Sequence, residues 1–142
     1  MYRILPALAL QQISAAVVEL QGERFAPAVE LFAAGRDASD ARPRRERDVC
    51  SNMFDAIESV AKEVYKKPNS TFGQVVSHIP ATSTMNPQIT GALSALNDLR
   101  NKTFGHGMTT PFNLSPAEVD FTYLGCLSGV LLLTRLAREQ NL

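Results

Sequence analysis

The chain of 142 residues is 45% hydrophobic and 20% charged, and its fourteen Lys plus Arg balance fourteen Asp plus Glu. That length fits one domain around one core, and the composition excludes disordered, collagen-like and low-complexity classes. Zero formal charge excludes a strongly cationic coat and leaves room only for a focused basic patch. Ile4, Leu8, Ile13, Val17, Val18 and Leu20 recur near a 3.6-residue period up to Gly22, which predicts one long helix. A shorter helix is expected from Phe25 to Ala34, stopped by Gly35. Arg36 to Asp48 reads as a charged loop, with Pro43 at a position where the next helix can begin.

Val49, Met53, Ile57, Val60, Ala61 and Val64 fall at i, i+4, i+8, i+11, i+12 and i+15, one apolar stripe on a helix. Lys66, Lys67 and Pro68 end it. Ser70 or Thr71 can cap a short helix through Ile79, and the segment from Pro80 to Pro87 reads as a loop. Ile89, Leu93, Leu96 and Leu99 define a further helix that breaks near Gly105, and a second loop runs to Leu114. Ser115-Pro116-Ala117-Glu118 is a helix start: the hydroxyl caps, Pro fits the first turn, and Glu118 reaches back to close a capping box. The last helix should reach about Glu139. Val119 to Leu133 is apolar but interrupted by Asp120, Thr122 and Ser128, so it reads as a core helix and not as a bilayer span. No segment alternates at period two and none repeats. The expected architecture is a single all-α domain over residues 1–142, a bundle of five to six helices.

Cys50 and Cys126 are too few for a disulfide scaffold or a four-thiolate zinc site, and read as buried thiols of a reducing, cytoplasmic compartment. The chain lacks a phosphate-binding glycine loop, a Cys-x-x-Cys pair, a His-Glu-x-x-His motif and a nucleophile elbow, and it has two histidines. Neither a metal nor a cofactor is expected, and no membrane partner. The densest polar stretch is Asn97 to His106, reading NDLRNKTFGH. Arg100 lies seven and four residues after Leu93 and Leu96, and so borders the apolar stripe. An unbroken helix would turn His106 about 240° from Arg100 and raise it about 9 Å. A break at Gly105, where glycine tolerates a left-handed backbone, can swing His106 back. Arg pairs with phosphate oxygens and His exchanges protons near neutral pH, so the two can cleave RNA through its own 2′-hydroxyl without a metal. Asn101 can add a hydrogen bond. By spacing alone, Arg100 as a helix-terminal cation and His106 as a loop residue stands as an equal reading.

Leu99-Arg100-Asn101-Lys102-Thr103-Phe104-Gly105-His106-Gly107 resembles the Leu-Arg-Asn-Lys…Gly…His-Gly signature of the HEPN superfamily, in particular the C-terminal domains of bacterial abortive-infection proteins. Arg47-Asp48 leading into Met53-Phe54-Asp55-Ala56-Ile57-Glu58-Ser59-Val60 is similar to the preceding family helix, and Ser70-Thr71-Phe72-Gly73 to the short helix after it. The resemblance spans about residues 47–138, leaving residues 1–35 as extra N-terminal helices. It implies a helical homodimer with the Arg-to-His motifs at a shared cleft, and a metal-independent endoribonuclease of phage defence or of a toxin–antitoxin system. Carried over, Arg100 stabilises the scissile phosphate, Asn101 orients it and His106 moves the proton. Lys102 and Arg47 are candidate RNA contacts and Glu58 a supporting residue, either paired with Lys62 four residues on or anchoring Arg100. Arg42, Arg44, Arg45 and Arg47 sit among acids, so a self-paired loop competes with an RNA-guiding patch. An antitoxin or another defence-system protein is the further partner implied. The alternative is a non-catalytic dimerisation or sensing module. A nuclease needs Arg100 and His106 exposed in a cleft, whereas a structural role predicts both buried or paired with acids.

Overall fold

The computed structural model describes residues 7–82, 84–104 and 111–142. Among them are six α-helices and no strand: α1 (Ala7–Glu19), α2 (Ala26–Asp40), α3 (Glu46–Val64), α4 (Phe72–Thr82), α5 (Pro87–Phe104) and α6 (Pro116–Glu139), with a 3₁₀ turn at Glu23–Phe25 before α2. The all-α bundle predicted from the periodicity is the fold.

The α3 stripe is the centre of the core. Val49, Met53, Ile57, Val60, Ala61 and Val64 are each no more than 1% exposed, packed between α2 on one side and α6 on the other. Burying one such aliphatic side chain contributes about 1.5–3 kcal/mol, so this face dominates the packing. α6 buries Val119, Tyr123, Leu127, Val130 and Leu133 among others and carries α1 along its outer side. It is the one described helix with the length and hydropathy to cross a bilayer, and more than half of that stretch is buried within the fold, as a core helix requires. At its start Ser115 Oγ accepts from the Glu118 N–H at 3.2 Å, while the Glu118 carboxylate accepts from the Ser115 N–H at 2.9 Å. The capping box read from the sequence is therefore formed.

Three boundaries differ from the expectation. The second helix does not stop at Gly35 but runs on to Asp40, through residues read as a charged loop. Gly35 is there for close approach: a Cβ on it would lie 2.9 Å from Met53 Sδ, so its missing side chain lets α2 press onto α3. The third helix starts at Glu46, three residues after Pro43. The fourth continues past Pro80 to Thr82.

The apolar stripes of α1 and α5 are only partly covered. Ile13 and Leu20 are buried, yet Leu8 and Val18 are exposed, and Ile4 lies outside the described residues. On α5 Leu93 is buried, Leu96 and Leu99 are half-buried and Ile89 is exposed. α5 rests on α4 and only lightly on α6.

Candidate functional site

The site is built where α3, the start of α4 and the end of α5 meet. Asp55 and Glu58, three residues apart on α3, point from one face toward α5. Arg100 on α5 reaches both: its Nη1 donates to Glu58 Oε1 at 2.8 Å and its Nη2 to Asp55 Oδ1 at 3.1 Å. The same Glu58 oxygen accepts the backbone N–H of Phe72 at 2.7 Å, satisfying a donor in the first turn of α4. Lys62 Nζ lies 3.8 Å from the other oxygen, Glu58 Oε2. Both pairings open to Glu58 from the sequence are thus made at once. One carboxylate ties three helices together. Thr71 and Gln74 add a second capping box on α4, with the Thr71 hydroxyl accepting from the Gln74 N–H and the Gln74 amide oxygen accepting from the Thr71 N–H.

This cluster forms the wall of a cleft of about 580 Å³ lined by Glu58, Lys62, Asn69, Ser70, Thr71, Asn97, Arg100, Asn101 and Phe104. Arg100 is 26% exposed and Glu58 16%, so the guanidinium is held at the edge of solvent. Gly73 lets Asn97 of α5 lie close against α4: a Cβ there would come within 2.7 Å of the Asn97 amide nitrogen. Burial raises the Asp55 carboxyl above its ordinary value, and the adjoining Arg100 charge pulls against that rise. A second cleft of about 700 Å³ lies along α3, bounded by Asp55, Glu58 and Lys62 together with Arg24, Glu63 and Lys66. Glu58 and Lys62 border both, and Asp55 only the second.

Among the sequence-predicted site residues, Arg100, Asn101 and Glu58 share the first cleft. Lys102 is exposed and is not among the lining residues; it is two residues past Arg100, about 200° round the helix. The Arg47 guanidinium sits 5.4 Å over the ring of Phe104 and is not among the residues that line the cleft. Phe104 also meets Phe54 edge to face, with ring centres 6.0 Å apart, and so packs onto α3. His106 lies outside the described residues, as does the break at Gly105. Of the other loop arginines, Arg44 is bound to Asp120 and Glu46 and to the Pro116 carbonyl, while Arg45 lies 3.9 Å from Asp48. Arg44 therefore fastens the loop before α3 to the start of α6 instead of facing an RNA.

Asp55, Asn97 and Thr71 are the site residues that sequence reasoning did not single out. The signal for Asp55 was its spacing of three from Glu58, which puts the two carboxylates on one face of the helix. Among the described residues there is no group of three His, Cys, Asp or Glu side chains placed to hold a metal ion. Models of known families, curated proteins and solved structures yield no match to this chain.

Proposed function

We propose that the chain is a metal-independent endoribonuclease of HEPN type that works in the cytoplasm in phage defence or as a toxin, with Arg100 and His106 as its catalytic pair. The observation that carries this reading is the position of Arg100, 26% exposed on the wall of a cleft that Asn97 and Asn101 also line. Two of its five N–H donors are committed to Glu58 and Asp55, and the other three, which make no hydrogen bond to the described residues, can meet a phosphate in the adjoining cleft. Fixing a guanidinium before substrate arrives is how an enzyme stabilises charge that develops only in the transition state. Asn97 and Asn101 line the same cleft and can hold ribose or phosphate oxygens. In the proposed reaction the 2′-hydroxyl attacks the adjacent phosphorus and the bond to the 5′-oxygen breaks. A cyclic phosphate and a free 5′-hydroxyl result, with His106 moving a proton. Incubation with mixed RNA in EDTA should leave cyclic phosphate ends. Arg100→Ala and His106→Ala should each slow cleavage by about 10²–10³-fold. Intact RNA with well-folded wild-type protein rejects the reading, as do two variants that cut at the wild-type rate.

A second reading is favoured by the same two ion pairs. Arg100 joined to two carboxylates is also what a non-catalytic module would use to hold α5 on α3. On that reading Arg100→Ala lowers the unfolding midpoint and has no cleavage to abolish.

A further inference from the structure

The second cleft has no part in the reaction proposed for Arg100. It holds about 700 Å³ between α3 and the residues that open α2, within the range of roughly 300–1,000 Å³ typical of small-molecule sites. Asp55, Ser59 and Glu63 fall at i, i+4 and i+8 on α3 and give it one polar wall. Pro27 and Leu31, four residues apart on α2, and Pro68 beyond α3 supply apolar surface opposite. A cleft of this kind fits a ligand with apolar faces and a polar edge.

The two clefts differ in charge. The first sets Lys62 and Arg100 against Glu58, so a positive charge is in excess. The second sets Arg24, Lys62 and Lys66 against Asp55, Glu58 and Glu63, and is balanced. An anion belongs in the first and a neutral polar group in the second. At the rim of the second cleft Arg24 Nε donates to Glu63 Oε1 at 3.1 Å, and the guanidinium lies 5.1 Å over the ring of Phe25. The pair thus presents guanidinium donors beside a carboxylate acceptor, which complements the alternating acceptors and donors on the edge of a nucleobase. Lys66 adds a further donor. It takes a left-handed backbone, with φ 55°, at the end of α3, a place where glycine is the usual residue.

We infer that the second cleft receives the base of the nucleotide whose phosphate lies against Arg100, its faces on Pro27, Leu31 and Pro68 and its edge on Arg24 and Glu63. The reach between the two is short, because Asp55, which lines the second cleft, accepts from Arg100 Nη2 at 3.1 Å. Glu58 and Lys62 form the sill over which the sugar passes, since both border each cleft. Arg24, Pro27 and Leu31 belong to the N-terminal stretch that the family resemblance leaves out, so those extra helices acquire a part in binding. The base site rests on the nuclease reading in that it needs a phosphate at Arg100.

Binding to short 2′-O-methyl RNA strands, whose attacking hydroxyl is blocked, tests the base site apart from cleavage. Fluorescence anisotropy with the full chain should show strands with bases bound about five- to tenfold more tightly than abasic strands of the same length. Arg100→Ala should weaken both kinds of strand, as loss of a phosphate contact requires. Glu63→Ala and Leu31→Glu should each close the gap between them to within about twofold. Glu63 is half exposed and its ion pair with Arg24 contributes little stability, so Glu63→Ala decides the matter if Leu31→Glu fails to fold. Equal wild-type affinity for the two strands overturns the inference, as does binding of neither or a gap that persists in Glu63→Ala. Cleavage of RNA in EDTA without such a gap leaves the nuclease and rejects the base site. A gap that closes in Glu63→Ala, with RNA left uncut, supports the base site and rejects the nuclease.

Discussion

At position 58 one carboxylate oxygen accepts from both a guanidinium and a backbone N–H, and the consequences of changing it separate by substituent. Glu58→Gln keeps an oxygen for the Phe72 N–H and loses the charge that holds Arg100. Glu58→Ala loses both and leaves a first-turn donor of α4 without its partner. Chemical denaturation should show the alanine variant destabilised by about 1–3 kcal/mol and the glutamine variant by visibly less; equal losses would mean that the bond to Phe72 contributes nothing. Asp55 responds to pH in the opposite sense to an ordinary paired acid. Because burial raises its folded pKa, the native state holds the proton more tightly than the unfolded chain, and stability falls as pH rises from the ordinary value through the raised one. Asp55→Asn should remove that downward slope from a plot of stability against pH.

Two helix glycines show how an element's packing decides the sign of one substitution. Alanine is preferred to glycine in a helix by about 1 kcal/mol. Gly91 on α5 has nothing within 4 Å of where a Cβ would stand, so Gly91→Ala should stabilise by about 0.5–1 kcal/mol. On α6 a Cβ at Gly129 would fall 2.3 Å from Ile57 Cδ1, a side chain itself fully buried. Gly129→Ala should therefore destabilise by about 1–3 kcal/mol, read from the same denaturation curves. The start of α6 supplies a pH test. The bonds from Ser115 hold the Glu118 carboxyl below its ordinary value, so its contribution is present above that value and is lost as pH falls through the lowered one. Glu118→Gln should flatten the acid limb of stability in that window, and Ser115→Ala should cost about 1 kcal/mol at neutral pH.

Across the whole molecule the two thiols report on the core. Cys50 and Cys126 are fully buried; burial pushes the Cys50 thiol up to about 11, against the pull of Arg44, and raises Cys126 as well. A thiol reagent at pH 8 should react with neither in the native protein and with both in denaturant; a native thiol that titrates promptly would place it outside the core. Helix positions, the α3 stripe and the Ser115–Glu118 box were legible because each is a local matter: a 3.6-residue period and a three-residue reach are written in consecutive residues. The Arg-to-His stretch was legible as a run of polar residues, and Glu58 as a candidate anchor. The partners of Arg100 lie 42 and 45 residues away in the chain, and no local pattern carries that distance. Gly35 looked like a helix stop and serves instead as a contact between helices. Of the apolar residues that define α5, Leu93 reaches the core, while Ile89, Leu96 and Leu99 line an open groove. The sequence alone determined where the helices lie, apart from the ends of α2 and α4, and which faces are apolar, since backbone hydrogen bonding and side-chain period act within a few residues. Only the tertiary structure decided which of those faces is covered, where a missing Cβ is needed and which acids meet Arg100, because each depends on how helices distant in the chain come together.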